Sequence, residues 1–79
     1  MSDQVHVPRV WGAAVANVPF SYKGVAQTAR DFHCSADGTL TVRLTDGSTA
    51  NVPVVAGRGN LFQATEITNL NGLTVTWFA

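Results

Sequence analysis

Hydrophobic and polar residues alternate most strictly from Thr39 to Leu44. Leu40, Val42 and Leu44 share one parity, and Thr39, Thr41 and Arg43 share the other. A strand sends successive side chains to opposite faces, so this period of two predicts a half-buried strand. Residues 31–36 show the same pattern, with Phe32, Cys34 and Ala36 set against Asp31, His33 and Ser35. Between these runs stands Asp37-Gly38, a hairpin dipeptide whose residues tolerate the positive φ of a tight turn. Asp46-Gly47 repeats the signal, and residues 48–52 then read as a returning strand. Pro53 has no N–H to donate, which places it at an edge, a bulge or a strand end. Gly57-Arg58-Gly59-Asn60 reads as a loop and residues 61–68 as a further strand. Asn71-Gly72 is the strongest turn dipeptide, leading to a last strand with Leu73, Val75 and Trp77 on one parity. From residue 30 to 79 the pattern predicts a β-meander of about five strands.

Residues 1–29 are different. Val5-His6-Val7 and the stretch from Val15 to Tyr22 are apolar, but Pro8 and Pro19 interrupt any ladder and favour extended backbone. The expectation is an extended N-terminal arm with one or two short strands, carrying Trp11, Phe20 and Tyr22. Aromatics so closely spaced are costly to leave in water, so the arm should lie on its own sheet or on a neighbouring subunit. The predicted fold is all-β, a single domain built as a small antiparallel β-sandwich or barrel of about five to seven short strands. Both architectures satisfy the same alternation.

Composition narrows the range of functions. The 79 residues carry zero formal net charge, with 13% charged residues against about 25% in an ordinary soluble domain. Five scattered cations balanced by five anions make no basic stripe, so nucleic acid is not an expected partner. No apolar run is long enough to cross a bilayer as a helix, so no membrane-spanning helix is expected. The opening Met1-Ser2-Asp3-Gln4 lacks the basic and apolar regions of a signal peptide, and synthesis in a cytoplasm is the expectation. One Cys and two His supply neither an internal disulfide nor a zinc-finger spacing. Chains this small often need such a staple, which leaves oligomerisation or docking as the expected source of extra stability.

Candidate chemistry is sparse. His33 and Cys34 are neighbours on a strand and point to opposite faces, so the imidazole does not activate the thiol, and Cys34 reads as a small buried hydrophobe. His6, between two valines, reads as a surface imidazole. Asp37 and Asp46 are explained by their turns, Asp31 opens a strand and Glu66 stands by itself, so no carboxylate pair is assigned. The glycines around Arg58 match neither nucleotide-binding spacing, and a strand rather than a helix follows them. No catalytic, cofactor-binding or metal-ligating residue is therefore expected, nor any cofactor or enzyme activity. What remains is a set of interface candidates, Trp11, Phe20, Tyr22, Arg58, Phe62 and Phe78. Parity supports Phe78 in particular, because it points outward if Trp77 fills the core.

Several segments taken together resemble the small head-spike base and decoration-type virion proteins of tailed phages and gene transfer agents. They are Ser35-Ala36-Asp37-Gly38-Thr39-Leu40-Thr41-Val42, Leu44-Thr45-Asp46-Gly47-Ser48-Thr49, Asn51-Val52-Pro53 and Ala64-Thr65-Glu66-Ile67-Thr68. The resemblance covers roughly residues 30–79. Residues 54–60 form a longer connection than the family's short linker, and the Trp11 arm has no counterpart. The resemblance implies a non-enzymatic component of a phage-like particle (capsid, head-spike base, neck or tail), made in the host cytoplasm and located in the virion. Its implied partners are further copies of itself and other virion structural proteins. The alternative is a small monomeric β module that recognises a glycan or peptide through Trp11, Tyr22 or Phe62.

Overall fold

A computed structural model describes residues 10–79. His6 and the Val5-His6-Val7 and Pro8 features of the arm lie outside the described residues. The fold is all-β. Its strands are β1 (Trp11–Ala13), β2 (Ser21–Tyr22), β3 (Val25–Ala26), β4 (Ala29–Cys34), β5 (Gly38–Arg43), β6 (Thr49–Val54), β7 (Asn60–Ala64), β8 (Glu66–Asn69) and β9 (Val75–Phe78). A four-stranded antiparallel sheet has the order β1-β9-β4-β7 and a three-stranded one the order β6-β5-β8, while β2 and β3 form a separate ribbon.

Both larger sheets contribute to one core. Phe32, Val75 and Trp77 come from the four-stranded sheet, Leu40, Val42 and Ile67 from the three-stranded sheet, and all are buried. The alternation read in β5 is therefore real, with Leu40 and Val42 inward and Thr39, Thr41 and Arg43 on the other face. Phe20 closes the core from the connection ahead of β2. Its ring stacks on Trp77 at 5.0 Å and meets Phe32 at 5.8 Å, and the Phe32 ring stacks in turn on Phe62 at 4.2 Å. Each such aromatic pair adds about 0.5–1.5 kcal/mol beyond its burial.

Strand connectivity departs from the expected meander. β4 and β5 lie in different sheets, so Asp37-Gly38 makes no hairpin. Gly38 instead belongs to β5, paired with Val54, and the Asp37 carboxylate accepts the Ala56 N–H at 2.8 Å. The reason is burial on both sides: Phe32 and Cys34 must face Leu40 and Val42 across the core, and strands in one hairpin cannot oppose each other in that way. The second Asp-Gly signal does form a hairpin. Here β5 and β6 pair from Gly38↔Val54 to Arg43↔Thr49. Gly47 at φ +90° ends a three-residue loop in which its N–H bonds Leu44. Pro53 sits on β6, an edge strand, as its missing donor requires.

The run 61–68, expected as one strand, is divided at Thr65 into β7 and β8, which belong to different sheets. Thr65 marks the corner, donating its N–H to the Arg43 carbonyl at 2.9 Å. Asn71-Gly72 adopts the expected left-handed pair, φ 51° and 81°, with the Leu73 N–H closing on Leu70. Its flanking strands again go to opposite sheets. A hairpin not foreseen in the sequence joins β2 to β3 through Lys23-Gly24, at φ 52° and 81°.

Candidate functional site

Register on the four-stranded sheet builds the candidate surface. Trp11 on β1 pairs with Phe78 on β9, Phe78 with Asp31 on β4, and Asp31 with Leu61 on β7. These four side chains form one row across all four strands, on the face turned away from the core. Trp11 keeps 59% of its surface exposed and Leu61 keeps 82%. Large apolar side chains at such exposure, aligned in one row, mark a contact surface more than isolated apolar residues do.

Polar groups sit at the middle of the row. His33, in the adjacent row opposite Thr76, sets its ring edge-on against Phe78 with centroids 4.9 Å apart. Its Nε2 lies 3.3 Å from Asp31 Oδ2. The Asp31 carboxylate is largely shielded and packs against Gly59, where any Cβ would collide with it. Phe78 thus stands between Trp11 and Asp31 in register with the imidazole against its ring, and the row is fixed by the sheet rather than by loops.

Of the expected interface residues, Trp11 and Phe78 are brought together here. Tyr22 lies elsewhere, half-exposed on the β2–β3 ribbon with the Lys23 ammonium 5.4 Å from its ring centroid. Arg58 is exposed in the loop before β7. Two expectations are corrected. Phe20 is no outward anchor, since it is 3% exposed and stacked on Trp77. Its backbone is also tied down, donating to Thr65 and accepting from Gln27. Phe62 likewise packs against the core on Phe32, and Leu61 takes the outward position instead. From residue 10 onward the arm is therefore part of the domain: β1 completes a sheet and Phe20 completes the core.

Leu61 was legible from parity had Ala64 been taken as the inward end of its strand. Exposure alternates without interruption along β7, whereas the register shift between Ala29 and Asp31 reverses the parity of β4, where Ala29 and Phe32 are both buried.

Titratable groups elsewhere are placed as follows. Cys34 is buried on the face opposite His33, and desolvation raises its thiol above the ordinary value. Glu66, which stood isolated in the sequence, pairs with Arg43 at 3.3 Å. No group of three or more His, Cys, Asp or Glu side chains gathers to hold a metal ion among the described residues. Nor do those residues include a helix long and apolar enough to cross a membrane. A shallow groove of about 140 Å³ opens beside β1, between Val15, Val18 and Trp77.

Comparison with protein-family models, with curated proteins and with solved structures found no match to this chain. The functional reading below rests on its residues and their geometry.

Proposed function

We propose that this protein is a non-enzymatic assembly module that contacts further copies of itself, and through them another protein, by the outer face of its four-stranded sheet. The observation that carries the reading is the Trp11–Phe78–Asp31–Leu61 row. Apolar anchors around a shielded carboxylate and an imidazole match the anatomy of protein interfaces, where a few aromatic and aliphatic residues supply most of the binding energy. The low charge density supports the same reading, because charged residues are depleted where protein surfaces meet.

The resemblance of residues 30–79 to phage head-spike base and decoration-type proteins extends this reading to a particle. In that form the chain is a virion component, made in the host cytoplasm, that assembles with copies of itself and receives another structural protein. A monomeric glycan or peptide reader gains less support, since Trp11 and Tyr22 lie on different sheets and Phe62 faces the core.

The test is the native mass of the chain, by light scattering across a hundredfold dilution, with and without Trp11→Ser. Trp11 is exposed, so the variant keeps the wild-type circular dichroism spectrum. Assembly is expected in the wild type and weakened at least about 30-fold in the variant, the effect of losing a hot-spot contact of about 2 kcal/mol. A wild type that stays at the mass of a single chain throughout overturns the reading.

A further inference from the structure

Each sheet edge presents a row of backbone donors and acceptors that another strand can take up, and folded proteins blunt most such edges. Among the described residues, three of the four edges of the two larger sheets are blunted in recognisable ways. β6 carries Pro53, which has no N–H to offer. β8 is covered by its own chain, because the Asn17 N–H bonds the Ile67 carbonyl and the Phe20 N–H bonds Thr65. β1 is three residues long.

β7 has none of these protections. Its five residues, Asn60-Leu61-Phe62-Gln63-Ala64, include no proline and no charge. Among the described residues β7 pairs with β4 on one side, and no strand pairs with the other. Leu61 and Gln63 are exposed.

We propose that the free edge of β7 pairs antiparallel with β7 of a second copy of this chain. Charge favours a second copy over a charged foreign strand. In a two-fold contact the same patch meets itself, so any charge on the strand is brought close to its own like charge. A strand edge with no charge at all meets that requirement, and it would give a charged foreign peptide no complementary partner. The geometry adds a second argument. Leu61 ends the Trp11–Phe78–Asp31–Leu61 row at this edge, and two-fold pairing about an axis at Leu61 sets it beside Leu61 of the second copy. The apolar row then continues across both four-stranded sheets, so that Trp11, Phe78 and Leu61 of the two copies form one contact surface on which assembly proceeds. This inference rests on the assembly reading and names the self-contact within it.

The experiment compares the wild type with a Leu61→Lys/Gln63→Lys double variant by light scattering and circular dichroism, and follows exchange in the wild type of those β7 backbone amides that point away from β4. The expected result is a wild-type dimer, or an even-numbered oligomer, with those amides protected, and a folded monomer for the variant. Should the variant keep the wild-type mass, or the amides exchange freely in an assembled wild type, edge pairing is overturned while the assembly reading stands. A wild type that is monomeric at every concentration overturns both. The exchange measurement decides the matter even if the variant misfolds.

Discussion

The two larger sheets share one core and present opposite chemistry to their surroundings. The outer face of the three-stranded sheet satisfies itself. Thr41 donates to Asn51 at 2.9 Å, Thr68 to the Thr41 carbonyl, and Asn71 to the Thr39 carbonyl. Arg43 bridges Glu66 and the Gly47 carbonyl, tying β5 both to its neighbour and to its hairpin loop. The outer face of the four-stranded sheet instead carries Trp11, Phe78 and Leu61 in register. Threonines and asparagines with bonds to one another gain little from a partner, whereas exposed apolar area is removed from water at about 25 cal/mol per Å² when covered. The contrast teaches that alternation alone does not make an outer face inert; what occupies the outward parity does.

The largest expected effect tests whether the two faces are backed by a common core. Phe32→Ala removes a ring that stacks on Phe62 and packs tilted against Phe20, and should cost about 3–5 kcal/mol in urea unfolding, enough to unfold much of so small a domain. A loss below about 1 kcal/mol would mean the sheets do not share that core.

Next comes the platform under the apolar row. Gly59→Ala forces a methyl group into the Asp31 carboxylate and should cost about 1–3 kcal/mol, as overpacking does. Equal stability in variant and wild type would show that the Asp31 carboxylate turns aside from Gly59 without cost.

The polar face should respond more weakly. Arg43→Ala removes a partly exposed ion pair and a bond to Gly47, so a loss of about 0.5–1 kcal/mol is expected, shrinking as salt is added. A larger, salt-independent loss would place Arg43 among the packing residues.

The smallest effect is an acid titration. Hydrogen bonds from the Ser48 hydroxyl and N–H hold the Asp46 carboxyl below its usual value. Since the folded value is the lower one, the stabilisation is present above the ordinary carboxylate range and is lost as pH falls through the folded value. Asp46→Asn should therefore flatten the acid limb of the stability curve slightly. An acid limb that is unchanged would assign that slope to other carboxylates.

Local order was legible in the sequence wherever two neighbouring residues decide it. The inward parity of Leu40 and Val42, the opposite faces of His33 and Cys34, the Asp46-Gly47 loop, the edge position of Pro53 and the left-handed pair at Asn71-Gly72 all follow from side-chain parity or from the φ that a residue tolerates. The outward position of Phe78 belongs with them. Pairing was not legible. Asp37-Gly38 and Asp46-Gly47 carry the same dipeptide, yet one crosses between sheets and the other closes a hairpin, because the choice depends on which apolar faces must meet. The Phe20 side chain looked like an arm residue for the same reason: its partners Phe32 and Trp77 lie on β4 and β9, the second of them distant along the chain.

By itself, then, the sequence determined that this chain is all-β, which residues alternate, where several turns occur and that charge is scarce. Those properties are local or additive, and each residue contributes to them independently of the fold. The tertiary structure decided that β4 and β5 oppose each other, that Thr65 turns one strand run into two, that Phe20 and Phe62 belong to the core and that Trp11, Phe78 and Leu61 share a row. Each of those facts depends on register between strands distant in sequence. Register is set by fitting all the buried side chains into one volume at once, a condition that no single segment of the chain carries.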